Sequence, residues 1–522
     1  MSQQPPQPKD WTSGVSEFWA LDPTLRHRDT QYPVISFDSE IQNPRVLVLC
    51  LSQNGAWESS NIHTIDTLSD HLKEPRSSTS RNRTIYVVEG LTPNVVEILR
   101  SHFSIEPSFF MRHERPVVYT SKHNRFHDTV RLPSQLDLED NFQIKYYEML
   151  HLSQQPTSFY MHCARTARHI GITRLSGKYQ HTAIARRKCS FWSHRCSGDA
   201  WNAIILCDPP IEQVWIGAPE DRVEMKSVST EPFQGGYPSF IKNSAMSTKP
   251  TQGPPRTSMF DDLAFYFKHH SDLLHNADDL QTASYFMRKI AASHYMQLVA
   301  YTASILSNRH WSLSRRDSLK ELERFTEIEK EWSDLQGLHR RCCEYIEDTE
   351  AALLNLGIPM SRPERSLRMW DDDADFQYIY MRFNDCKART EVMINSITGL
   401  ASMSGTRQAF IEAQRSLRAT KGGRTLSFIG LLFIPLAYVA GIFSMPGTFA
   451  PGSSDFGKYW EVAAPLALGI FLLATLLELG YDDAAKWSPS TFAEKSGYNR
   501  MRGGGGSQKP GRTSMSKTNG TV

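Results

Sequence analysis

The chain is poor in cysteine, with eight in 522 residues, too few for a disulfide scaffold. Cys342 and Cys343 are adjacent within a helical pattern, and Cys189 and Cys196 lack the C-x2-C spacing of a zinc site. Reduced thiols in a cytosolic setting are expected. A surplus of one charge sign is also missing: 58 Lys and Arg face 56 Asp and Glu, a formal net charge of +2. A general nucleic-acid binder would carry a basic excess, so no nucleic-acid partner is expected. The opening MSQQPPQPKDWTSG has no apolar run, and no cleavable signal peptide is expected. Catalytic motifs are scarce as well. Neither G-x-S-x-G nor H-E-x-x-H occurs, and GITRLSGKY (Gly171–Tyr179) departs from a phosphate loop in glycine spacing and in its Tyr179. His194 beside Cys196 lacks paired ligands, and ARRKC (Ala185–Cys189) reads as a solvated basic surface. We expect no enzyme and no cofactor.

Strand and helix signals alternate through the first half. RVLVLCL (Arg45–Leu51) and RTIYVVEG (Arg83–Gly90) are β-rich runs, and Thr92 with Pro93 predicts a capped helix start. TSFYMHCAR (Thr157–Arg165), WNAIILCDPP (Trp201–Pro210) and EQVWIG (Glu212–Gly217) predict further strands, with an irregular stretch over 177–199 between them. STKPTQGPPRTS (Ser247–Ser258) reads as a linker. Three helical patterns follow it, the last charged and running from about Arg315 to Leu356.

From the acidic run at 371–375 a very long helix is predicted. Phe376, Phe383, Thr390, Ile397, Ser404 and Ile411 recur every seven residues, with Ile379, Cys386, Met393 and Leu400 three later. Such a seam serves packing on the preceding helix, self-association, or both. Continued to Met445, the helix would run about 110 Å.

Thr425–Met445 holds no formal charge over a length that crosses about 30 Å of hydrocarbon, and Trp460–Leu479, with Glu461 and Glu478 at its margins, is a second candidate span. Two spans joined by a short loop form a hairpin with both ends on one side of a bilayer. Arg415, Arg418, Lys421 and Arg424 precede the pair and Arg500, Arg502, Lys509, Arg512 and Lys517 follow it, whereas the loop offers Lys458. The positive-inside rule places both termini in the cytoplasm. Ser427, Gly430, Ala437, Gly441 and Ser444 lie near one stripe of the first span, interrupted by Ile434. Small residues there serve close helix packing or line a pore. The expected division is a disordered N-terminus (1–14), a cytoplasmic α/β domain (15–246), a linker (247–258), a helical domain and stalk (259–424), a first span (425–445), an outer loop (446–458), a second span (459–479) and a basic tail (480–522).

This layout resembles the CorA family of divalent-cation (magnesium) transporters, in particular divergent fungal CorA-like members. FIPLAYVAGIFSM (Phe433–Met445) resembles the family's first span, which ends in a Gly-Met-Asn signature, and VAAPLALGIFLLATLL resembles its second. EGLTPNVVEILRSHFSIEPSFFMRH (Glu89–His113) looks like the N-terminal strand–helix unit, and WNAIILCDPP with VWIG looks like later strands. The resemblance implies a homopentameric funnel in a lipid bilayer, of α/β class at its cytoplasmic end. Mg²⁺ or a related divalent cation would pass through the centre without ATP, and plasma membrane is the expected location. Ser444, Met445 and Pro446 take the place of the signature; Pro446 offers neither the Asn amide nor an N–H. Asp371, Asp372, Asp373 and Asp375 stand where a regulatory cation site would lie, or serve as helix-capping charges favoured by the macrodipole. The alternative function is a non-conducting, membrane-anchored sensor or interaction protein of the same architecture.

Overall fold

The computed structural model describes residues 44–52, 57–62, 65–73, 83–114, 141–152, 161–166, 168–172, 182–196, 200–216, 224–241, 253–274, 280–314, 321–360, 374–444 and 452–480. Its strands are β1 (Arg45–Leu51), β2 (Trp57–Ile62), β3 (Arg83–Glu89), β4 (Asn141–Leu152), β5 (Met161–Cys163), β6 (Ile170–Ile172), β7 (Thr182–Arg195), β8 (Trp201–Cys207), β9 (Gln213–Ile216), β10 (Glu224–Ser227) and β11 (Thr230–Pro232). The helices are α1 (Ile65–Lys73), α2 (Pro93–Phe103), α3 (Pro107–Glu114), α4 (Met259–His269), α5 (Tyr285–Ser314), α6 (Glu321–Asn355), α7 (Ala374–Phe443) and α8 (Phe456–Gly480). The chain divides into two compact units, Met1–Ala401 and Ser402–Val522. The expected terminal segments 1–14 and 481–522 lie outside the described residues.

In the first unit a mixed sheet runs β11-β4-β7-β8-β3-β1-β2, with β6 also against β7. Only β3 and β8 pair in parallel; the other neighbours are antiparallel. A second sheet orders β10-β9-β5. The continuous apolar runs of β1, β3 and β8 follow from burial on both faces. Val46, Val48, Tyr86, Val88, Ile204 and Leu206 face one way, onto Leu68 and Leu72 of α1, Val95 and Leu99 of α2, and Phe109 and Phe110 of α3. Their neighbours Leu47, Leu49, Ile85, Val87 and Ile205 face the opposite way. There they share a core with Leu263 and Phe267 of α4, Phe286 and Ile290 of α5, Leu353 of α6, and Phe376, Ile379 and Phe383 of α7. The period-two alternation of each strand sorts these two sets. Helix α2 starts where Thr92 and Pro93 place it, and the Thr92 hydroxyl accepts the Val95 N–H at 3.3 Å.

Two local expectations are overturned. The stretch expected to be irregular contains β7, which at 14 residues is the longest strand among those described. The apolar core of the expected solvated patch is likewise inside the sheet, and its charges are buried, as set out below. The described end of the linker, 253–258, is packed: Arg256 donates its N–H to Asp262 at 2.7 Å and its guanidinium Nε–H to the Tyr237 carbonyl at 2.8 Å. Ser258 caps α4.

Helix α7 is continuous through 70 residues. Its heptad seam is buried from Phe376 through Ile397, where Cys386, Met393 and Ile397 pack with Leu306 of α5 and Leu335 and Cys342 of α6. Intramolecular packing thus accounts for this half of the seam. Further along, Leu400, Met403, Phe410 and Leu417 are exposed.

Candidate functional site

The residues expected to line a conduit lie on the last turns of α7. Ser427 is within the helix, Gly430 is half-buried, and Ala437, Gly441 and the turn residue Ser444 are exposed. A Cβ built on Gly430 or Gly441 meets nothing within 4 Å. The single chain therefore does not use these glycines for close helix contact, and the face stays open. Met445 and Pro446 lie outside the described residues. Pro435, Val439 and, on α8, Ala463 are buried, while Phe433, Ile434, Tyr438, Ile442, Leu468, Phe471 and Leu473 are exposed. So much contiguous apolar surface is disfavoured in water and calls for lipid or another protein surface. Among the described residues, α8 holds one helix long and apolar enough to cross a membrane, Phe456–Leu473; α7 contributes a shorter apolar stretch, Phe433–Ile442.

The segment before α8 brings charge balance. Asp455 and Lys458 pair at 3.1 Å, so the acid of the expected outer loop faces a base one turn on. Tyr459 and Trp460 stand edge to face at 5.3 Å in the first turns of α8, the amphipathic aromatics favoured at a membrane–water boundary.

Of the acidic run, Asp371, Asp372 and Asp373 lie outside the described residues. Asp375 is in the first turn of α7 and accepts a hydrogen bond from the Lys289 ammonium of α5 at 2.7 Å. Tyr285, Arg288, Leu356, Ile358 and Phe376 complete its surroundings. A lysine nitrogen thus occupies the position a cation would take beside this carboxylate. Among the described residues no group of three His, Cys, Asp or Glu could hold a metal ion.

The densest polar constellation is one that the sequence reading missed. Asp208, just after β8, accepts from Arg168 Nε–H at 2.7 Å, Arg168 Nη2–H at 2.9 Å and the Lys188 backbone N–H at 2.7 Å, with His113 Nε2 at 3.5 Å. Burial opposes its ionisation, yet the Arg168 guanidinium, by its charge and its hydrogen bonds, holds the carboxyl below its ordinary range. His113 is itself pushed down to about 3 by burial, partly offset by Asp208, and is neutral; its Nδ1 lies 2.9 Å from Ser190 Oγ. Arg187 donates to Glu148 at 2.6 Å and to the Pro209 carbonyl at 2.7 Å, Arg186 to Glu344 at 2.7 Å, and Lys188 Nζ to the Arg112 carbonyl at 2.8 Å. The basic run therefore ties strands and helices together internally. The Ser190–His113–Asp208 order superficially suits nucleophilic catalysis, but Ser190, His113 and Asp208 are all buried, and no substrate reaches them. His194 stacks on Trp192, and Cys196 accepts from Asn202, so neither points to a metal. The strand-like alternation of Phe142, Ile144 and Tyr146 is the signal that could have found β4, and with it the acid partner Glu148.

Two solved structures are similar to this chain. The CorA magnesium transporter from Methanocaldococcus jannaschii matches at 8% identity and a TM-score of 0.30, over 85% of this chain and 98% of that one. The full-length CmaX protein matches at 9% identity and a TM-score of 0.31, over 83% and 98%. No family model and no curated protein matches.

Proposed function

We propose that the chain is a membrane channel or transporter for Mg²⁺ or a related divalent cation, assembled from copies of itself, five on the family resemblance. The observation that carries this reading is the composition of α7. One uninterrupted helix is locked into the α/β unit by Phe376–Ile397 and carries the apolar stretch Phe433–Ile442 at its far end, ahead of the apolar α8. A helix shared by a cytoplasmic domain and a membrane segment can couple cation binding in the one to a gate in the other. The open face of Gly430, Ala437 and Gly441 suits either a neighbouring copy or hydrated ions. Both termini would be cytoplasmic and the Ser444-Met445-Pro446 mouth would face outward. Because Mg²⁺ sheds water reluctantly, a mouth of backbone carbonyls would hold it hydrated.

The apolar residues Met403, Phe410 and Leu417 supply a further support. They recur every seven residues, with exposures of 72%, 66% and 64%, and suit a seam between copies. The second reading, a membrane-anchored sensor without conduction, is favoured by Pro446 and by the Lys289–Asp375 pair. Growth rescue of a magnesium-uptake-deficient cell, with wild type and Met445→Ala, separates the two. Rescue by wild type that the variant weakens supports conduction; membrane-inserted protein that fails to rescue supports the sensor.

A further inference from the structure

A small enclosed cavity lies where the end of the linker, α4, α5 and β4 meet. Glu148, Tyr237, Arg256, Asp262, His294 and Gln297 supply its polar lining. The corner is closely built: a Cβ on Gly236, at φ +90°, would come within 2.3 Å of Arg256 Cδ, so only glycine lets that side chain lie across it. The room inside, about 10 Å³, suits one water molecule. His294 is nine-tenths buried between the rings of Tyr146 and Tyr237, and among the described residues its Nδ1 has no hydrogen-bond partner. A buried imidazole nitrogen left so is costly.

We infer that this cavity binds one water molecule, which joins His294 Nδ1 to the Asp262 and Glu148 carboxyl groups and gives their protons a path between them. The charged and titratable groups facing the site are few. Glu148 of β4 is neutralised by Arg187 at 2.6 Å. Asp262 of α4 accepts from Tyr237 Oη–H and from the Arg256 N–H, both at 2.7 Å. Tyr146 of β4, His294 of α5 and the Arg256 guanidinium complete the set.

Burial, only partly offset by the hydrogen bonds from Tyr237 and Arg256, raises Asp262 to about 6, while burial lowers His294 to about 4. The two have opposite consequences for stability. The folded state holds the Asp262 proton more tightly than the unfolded chain, so that contribution is full at low pH and is lost as pH rises to about 6. The folded state releases the His294 proton, so that contribution is full above about 6.5 and is lost as pH falls through about 4. In the wild type they oppose each other; single substitutions expose each.

The test is denaturant unfolding of the full chain in detergent from pH 4 to 6.5. Relative to wild type, Asp262→Asn should gain stability as pH rises, and His294→Gln should lose it, each by about a hundredfold in the unfolding constant. Curves parallel to wild type overturn the proposal. If a variant does not fold, a high-resolution structure of the wild type decides. A water within hydrogen-bond reach of His294 Nδ1 and a carboxylate oxygen is expected, and an empty cavity overturns the proposal.

Discussion

Replacing Arg168 by Met would leave Asp208 buried with its principal cation gone. Both side chains are almost wholly enclosed, at 1% and 3% exposure, so solvent does little to screen the loss. Arg168 makes two hydrogen bonds to the carboxylate and a third, at 2.6 Å, to the His113 carbonyl. Removing one partner of a buried ion pair costs about 3–5 kcal/mol. Asp208→Asn is nearly isosteric and strands the guanidinium instead, with a cost of the same order. The double variant removes both charges together; the new amide oxygen can still accept from the Lys188 N–H, and the remaining cost is mainly the His113 carbonyl that loses its Arg168 donor, at about 1–3 kcal/mol. A double-mutant cycle by denaturant unfolding of the full chain should therefore show strong coupling, the double being no worse than either single. In acid the depressed Asp208 ionisation acts with a definite sign. Its contribution is whole above the ordinary Asp range and is lost as pH falls through its own lowered value. Single costs below about 1 kcal/mol, or strictly additive ones, would refute the view that this network clamps α3, β7 and β8.

Phe383→Ala empties a fully buried site beside Tyr295 and Tyr345, whose rings lie 6.1 and 5.3 Å away. It should cost about 3–5 kcal/mol and lower the melting temperature measurably. Phe410→Arg, on an exposed face, should leave the melting of the α/β unit unchanged while reducing the assembled mass seen by native mass spectrometry; an unchanged mass would remove Phe410 from the self-association seam.

The framework was legible where one kind of signal dominates. The mostly apolar runs of β1, β3 and β8, the Thr92–Pro93 helix start and the heptad seam of α7 as far as Leu400 each reflect local chemistry. Strand β7 was not legible because its Arg186, Arg187 and Lys188 read as solvent-facing. Their burial depends on Glu344, Glu148 and the Arg112 carbonyl, which lie 158, 39 and 76 residues away in sequence. The half-seam of α7 was legible as apolar spacing, but what covers it was not: α5 and α6 cover Cys386 to Ile397, while Met403, Phe410 and Leu417 are exposed. Asp375 shows the same limit, since its Lys289 partner comes from a helix 86 residues earlier. For the small-residue face of α7, spacing allowed packing or pore lining, and the described residues leave both open: nothing among them lies within 4 Å of a Cβ built on Gly430 or Gly441.

The most direct measurement is the mass of the full-length protein held in lipid nanodiscs. A single species of five copies is the result expected of a conduit shared among identical chains. A stable monomer under the same conditions would contradict it.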